Sequence, residues 1–374
     1  MEELIMINLN SINDSDANIL IQNVESKYKP IFDRGKYSSE EKRAIYRYFF
    51  SQRPKKLPPS LKSRLVNLYD PLADRSKRFP DGLRFCLNVY VGCEHACKYC
   101  YVNGYSKESV GNSYHEKLGF KEKLTKDINE IRRLQVPIAP LHLSNSTDIC
   151  QENLETNFRY TLFALKTLAE NRRIFSSIAL LTKNPKILCE KEYLSILKSP
   201  SMKPLVVQIT CAYWNDQARA FYEPDAPSIQ SRLDALQILS ENNVEIQMRI
   251  DPLLPSSRIK DKIRGHKHLK HYSLPEAQSS DDLVNLIRFA KKAGVKSIIG
   301  KPLKIPVSNK AKQAKELFGN LYTDSFPDGK RKVQGGSWRL PEEYQREMIS
   351  NVAEICEKEG IVFKHCKHDL LTRK

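Results

Sequence analysis

An α/β chain centred on a partial (β/α)6 TIM-like barrel is the fold class the sequence predicts, on three observations. Between residues 84 and 300, short runs rich in β-branched residues alternate with helix-length amphipathic patterns, as a parallel sheet with crossover helices does. Six such units follow one another without interruption. In the fifth run, Glu245, Gln247, Arg249 and Asp251 alternate with Val244, Ile246, Met248 and Ile250, so that one face packs under helices and the other lines a polar interior. An open doubly wound sheet is the competing arrangement, because periodicity does not separate closed from open sheets.

An N-terminal extension, residues 1–80, comes first. Its Pro/Lys-rich stretch SQRPKKLPPSLKSR reads as an appendage that wraps the core. The core barrel, residues 81–302, places strands over RFCLNVYV (84–91), PLHLSN (140–145), SSIALLT (176–182), PLVVQIT (204–210), VEIQMRI (244–250) and VKSIIG (295–300). Between them, ETNFRYTLFALKTLAENRR predicts one helix. SIQSRLDALQILSENN and SDDLVNLIRFAKKAG predict two more, opening on Ser228 and on Ser280 or Asp281 as N-caps. A C-terminal extension, residues 303–374, completes the barrel side with a Gly-containing loop FPDGKRKVQGGSWRLP, a helix near 341–358 and a last short strand IVFKHC.

Composition excludes several classes. With 374 residues, 40% hydrophobic and 28% charged, the chain buries a sizeable core and is no disordered tail. No stretch is apolar for long enough to span a bilayer and the N-terminus has no basic n-region, so the expectation is a cytoplasmic protein with no membrane partner. Nine unevenly spaced cysteines argue against a disulfide framework and for metal binding or catalysis. The balance of 61 Lys/Arg against 44 Asp/Glu, formally +17, favours polyanionic partners.

Cys93, Cys97 and Cys100 follow the first core strand, on the side where barrel loops build active sites. Cys-x3-Cys-x2-Cys supplies three thiolates, one fewer than a closed zinc site or a fully ligated 4Fe-4S cluster takes. A cluster with one open iron binds a small chelating ligand there; a zinc site completed by His95 is the alternative.

The phrase NVYVGCEHACKYCYV, followed in order by SNSTDICQENLE, LLTKNP, EPDAPSIQSRLDALQILSENNVEIQMRIDPLLP and FKHC, resembles the spore photoproduct lyase-like branch of the radical S-adenosylmethionine enzymes over roughly residues 84–366. The resemblance implies the radical S-adenosylmethionine type of partial barrel. It also implies a 4Fe-4S cluster on Cys93, Cys97 and Cys100, S-adenosylmethionine as second cofactor, and a one-electron reductant such as flavodoxin or ferredoxin. Tyr99 would pack near the adenine, while Thr147, Asp148 and Lys183 match phrases that hold S-adenosylmethionine. Gln208 stands where the family commonly has Ser, and Thr210 offers a substitute hydroxyl. The family's hydrogen-donating cysteine is replaced by Asn145, so the lyase reaction itself is not carried over.

Arg249 and Asp251 are candidate substrate-facing residues, and Cys366 a candidate radical-quenching thiol. Two basic stretches, 258–272 and 328–339, the second containing Trp338, predict a nucleic-acid partner. The expected function is radical chemistry on a nucleic acid, by lyase-type repair or by modification. The alternatives are radical modification of a protein or small metabolite, and a non-catalytic zinc-containing nucleic-acid-binding protein.

Overall fold

The β-branched runs become strands in the computed structural model, which describes residues 65–69, 84–105, 113–136, 138–255, 269–334 and 336–365. Residues 1–64, positions 258–268 of the basic stretch and Cys366 lie outside the described residues. In chain order the first elements are β1 (Val66–Tyr69), β2 (Arg84–Leu87), α1 (Phe120–Arg133), β3 (Ala139–Leu143), α2 (Glu152–Phe158), α3 (Tyr160–Glu170), β4 (Phe175–Thr182), α4 (Lys191–Lys198) and β5 (Leu205–Thr210). There follow α5 (Asp216–Tyr222), α6 (Ile229–Glu241), β6 (Ile246–Leu253), α7 (Ser280–Lys292), β7 (Ser297–Pro302), β8 (Ile305–Pro306) and α8 (Lys312–Asp324). The last are β9 (Lys332–Gln334), β10 (Ser337–Arg339), α9 (Glu342–Lys358) and β11 (Val362–His365). Among the described residues no helix is long and apolar enough to cross a membrane.

Eight strands form one sheet in the order β1-β2-β3-β4-β5-β6-β7-β11. All neighbours from β2 to β7, and β7 with β11, are parallel; β1 alone is antiparallel, to β2. A doubly wound sheet reverses its strand order at a switch point. Here the order from β2 to β7 never reverses, so right-handed crossovers put every connecting helix on one face and leave the other to line an interior. β6 shows the consequence: Ile246, Met248 and Ile250 are buried, whereas Gln247, Arg249 and Asp251 remain partly accessible.

Two helix boundaries differ from the sequence expectation. The helix expected across 155–173 is two helices broken at Arg159, whose backbone is left-handed (φ 51°). Glu155 starts the second, its carboxylate accepting from the Thr161 and Leu162 amides at 3.0 Å each. Helix α7 is capped by Ser279 rather than Ser280 or Asp281, because a capping box needs its partners three residues apart and Asp282 is the reciprocal acceptor. Ser228 caps α6 as expected, accepting from the Ser231 amide at 3.2 Å. The Gly-containing stretch of 326–341 is a hairpin rather than a loop: β9 and β10 pair, and β10 pairs β8, making a separate three-stranded sheet.

Candidate functional site

The cysteine loop leaves the C-terminal end of β2. Gly92 turns it with φ +68°, and a Cβ there would stand 2.0 Å from the Ser113 carbonyl, so only glycine permits the turn and the close approach together. Val91 and His115 brace the turn through reciprocal backbone bonds of 3.0 Å. Beyond it, the Lys98 amide donates to the Tyr222 carbonyl at 2.9 Å, and the Cys100 amide to the Cys97 carbonyl at 3.0 Å. Cys93 and Cys97 are buried and Cys100 half-buried; Cys93 feels the charge of Cys100, and Cys97 that of both other thiols. Burial, with the Asp148 charge added, pushes Cys93 up to about 12; burial likewise raises Cys97 and Cys100.

Among the described residues no three His, Cys, Asp or Glu side chains are arranged to hold a single metal ion. His95, the fourth ligand of the zinc alternative, turns instead to Asp148, with Nε2 3.2 Å from Oδ2. Cys93, Cys97 and Cys100 are thus three thiols on one loop, two buried and one half-buried, a donor set of the kind and number that a cluster with one open iron takes.

Asp148 is a clamp. Its Oδ1 accepts from the Cys150 amide (2.9 Å) and the Thr182 hydroxyl (2.7 Å), its Oδ2 from the Lys183 amide (2.6 Å), and His95 sits beside it. The carboxylate thereby joins the ends of β3 and β4 to the cysteine loop. Burial alone would raise its pKa; His95 first, then the Lys183 amide and Thr182 hydroxyl, outweigh this and hold it at about 2. Because the folded value lies below the unfolded one, the carboxylate stabilises the fold above about pH 4, and that contribution, about 2 kcal/mol, is lost as pH falls toward 2. Asp148→Asn should therefore lower stability at neutral pH and flatten its fall between pH 4 and 2. Urea midpoints across that range check this; parallel pH profiles for parent and variant would reject it. Thr147 works alongside, its hydroxyl bonding the Gly92 carbonyl and accepting from Gln151 Nε2 at 2.9 Å. Gln151 Oε1 in turn receives the Glu94 amide at 2.8 Å.

Beneath the loop lies a buried charge cluster. Tyr99 is buried and its hydroxyl donates to Glu223, which is fully buried. Glu223 also accepts from Arg232 at 2.5 Å and stands 3.7 Å from Lys183 Nζ. Arg232, equally buried, donates further to the carbonyls of Pro227 and Thr210 at 3.0 Å each. Burial alone would raise the Glu223 carboxyl, but Arg232 and Lys183 hold it below its usual range. Burial lowers Lys183, and the charges of Cys97 and Glu223 more than reverse this.

On the interior face of β5 and β6, Gln208 Nε2 donates to Gln247 (2.9 Å), Arg249 donates to Gln208 Oε1 (3.0 Å), and Arg249 pairs with Asp251 at 2.6 Å. Burial alone would raise Asp251, yet Lys301 and then Arg249 keep it low. The structure thus brings Tyr99, Lys183 and Cys97 together around Glu223, and Gln208, Arg249 and Asp251 into one ladder, while Thr147 and Asp148 brace the loop. Thr210 is buried and meets the cluster through its carbonyl to Arg232. Sequence reasoning missed Glu223, Arg232, Glu94 and Gln151. For Arg232 the signal existed: it shares a helical stripe with Ile229, Leu233 and Leu236, where a charge has no solvent to face.

No family model matches the chain. An uncharacterized protein of Methanocaldococcus jannaschii is 25% identical over 174 residues, 46% of this chain and 62% of that protein. An uncharacterized protein of Acidianus two-tailed virus is 20% identical over 192 residues, 50% of this chain and 61% of that protein. The chain spans about three fifths of the length of these curated relatives. Among solved structures, spore photoproduct lyase complexed with dinucleoside spore photoproduct superposes with a TM-score of 0.54 at 11% identity, over 87% of this chain and 95% of that one. A variant of that enzyme with bound S-adenosylmethionine and dinucleoside spore photoproduct gives 0.53 at 13% identity, over 76% of each. At such identities the likeness is one of fold, and the chain has the mostly parallel α/β fold of the radical S-adenosylmethionine type that spore photoproduct lyase carries.

Proposed function

We propose that the chain is a radical S-adenosylmethionine enzyme acting on a nucleic acid, by repair or modification. The observation that carries the reading is the trio of thiols on one loop at the C-terminal end of the first parallel strand, two of them buried, with the Lys183 ammonium held near Cys97. Cys93, Cys97 and Cys100 would hold a 4Fe-4S cluster, which would supply the one-electron reductive cleavage of S-adenosylmethionine that opens radical chemistry. The chain's own residues do the rest. Lys183 offers a cation for a ligand carboxylate, Tyr99 a ring fixed by its bond to Glu223, and Gln208 with Thr210 polar groups at the end of β5. The paired Arg249 and Asp251 face the interior where substrate would lie. Asp148 and Thr147 keep the loop in register at the edge of the site where the sequence reading has them hold S-adenosylmethionine. A reductant of the flavodoxin or ferredoxin class would deliver the electron.

A nucleic acid suits the site's charge. Nine Lys/Arg stand against three Asp/Glu between residues 301 and 340, at the C-terminal end of the sheet. Because Asn145 replaces the cysteine of the lyases, the bond cleaved differs from theirs or the returning hydrogen comes from another group. Anaerobic reconstitution with iron and sulfide, then reduction with S-adenosylmethionine present, tests the core of this reading. A brown protein forming 5′-deoxyadenosine is expected. A protein that carries zinc in place of iron, or a full cluster that yields no 5′-deoxyadenosine, would overturn it.

A further inference from the structure

We propose that the surface running from Tyr101 and Tyr105 across the β8-β10-β9 sheet is a track for single-stranded nucleic acid leading to the cysteine loop. This rests on the reading of the substrate as a nucleic acid and adds where the strand lies and in what form it is bound.

Four observations converge. First, the turn carrying the tyrosines begins at the residue after Cys100, and it is seated on the small sheet: a Cβ on Gly104 would stand 2.4 Å from Pro306 Cβ in β8. The cysteine loop and the sheet are therefore one continuous surface. Second, the two rings are exposed, 38% for Tyr101 and 55% for Tyr105, with centroids 5.9 Å apart and planes tilted by 49°. Their far ends are tethered to the β3 loop, Tyr101 Oη donating to the Asn145 carbonyl at 2.5 Å and Tyr105 Oη lying 2.8 Å from Ser146 Oγ. Rings held at both ends lose little freedom when a base stacks on them.

Third, cations border the rings. Lys304 Nζ is 5.0 Å and Lys301 Nζ 5.9 Å from the Tyr101 centroid, so a phosphate next to a stacked base meets a lysine. Fourth, the basic line continues along the sheet on anchored side chains. Arg331 lies 4.3 Å and Lys315 Nζ 5.4 Å from the Trp338 ring, and Arg331 Nε and Lys315 Nζ also donate to the carbonyls of Gly319 and Val307. Trp338 is thus an anchor for two cations rather than a platform for bases. Lys330 and Lys332 extend the line on the exposed β9 edge.

Stacking decides the form of the ligand. In a duplex both faces of each base are already stacked, and Tyr105 has nothing to receive; an unpaired strand brings open base faces together with the phosphates.

The test is fluorescence anisotropy with labelled single strands and the matching duplex across a salt series, using the reconstituted protein, its Tyr105→Ala and Tyr105→Phe variants, and a Lys330→Ser/Lys332→Ser variant. Expected are tighter binding of the single strand than of the duplex, a loss of about tenfold for Tyr105→Ala that Tyr105→Phe restores, and a salt slope reduced by about 1.4 in the double variant. Phe keeps the ring, so its rescue separates stacking from a folding defect in the Ala variant. Preference for duplex, or Tyr105→Ala and the double variant binding as the parent does, overturns the track while leaving nucleic acid as substrate. A parent that binds neither form at low salt overturns the track and the nucleic-acid reading together; its formation of 5′-deoxyadenosine then shows whether the radical chemistry stands apart.

Discussion

Single replacement of Cys93, Cys97 or Cys100 by Ala is expected to leave the reconstituted protein with a small fraction of the parent's iron and no 5′-deoxyadenosine. A cluster with one open iron has three protein ligands, and each thiol lost opens a second iron. Cys150 and Cys211 provide the contrast. Both are fully buried thiols of the core, and replacing either by Ala leaves every residue of the cysteine loop in place. Their Ala variants should retain the parent's iron. Iron content by colorimetric assay and 5′-deoxyadenosine by chromatography measure both effects. Parental values in any of the three loop variants would refute the ligand assignment.

The second large effect is on stability. Glu223→Ala strands Arg232, a guanidinium with no exposed surface, and removes the acceptor for Tyr99 and the counter-charge of Lys183. Breaking a buried pair from one side costs about 3–5 kcal/mol, because the remaining charge has neither water nor partner. Removing both charges with Glu223→Leu and Arg232→Met should recover much of that loss, since apolar replacement of a buried pair is often neutral. Urea unfolding of the two variants and the parent decides the matter, read at constant m. If Glu223→Ala unfolds within about 1 kcal/mol of the parent, water reaches the cluster and the closed electrostatic frame described for it is wrong.

The strands of the core were legible because burial on the helix-covered side forces apolar residues to recur at the strand period. The run PLVVQIT became Leu205–Thr210, and VEIQMRI became a strand reaching further, to Leu253, where Pro252 gives no polar or apolar alternation to read. The cysteine loop was legible from spacing alone, whereas the function of Asp148 was not. Its partners come from residues 150, 182 and 183, and no local pattern tells a carboxylate which amides will point at it. Periodicity likewise missed the break at Arg159, because the apolar residues on either side keep a helical spacing and only the left-handed backbone interrupts them. The β9-β10 hairpin escaped because β9 is exposed along its length and therefore shows no alternation. Its residues carry charge for a surface, not a stripe for a core.

The loop's anchors lie far ahead in the order of synthesis. Tyr99 reaches Glu223 across 124 positions, and Lys98 takes its backbone partner from Tyr222. Contacts so distant cannot form until the intervening chain has closed, and they form late. On the ribosome the three thiols are exposed until Arg232 has emerged to hold Glu223, an interval on the order of ten seconds at about 5–20 residues per second. During it they can be oxidised or captured by stray metal, so a cluster of the proposed kind would be built after release of the finished sheet rather than alongside translation.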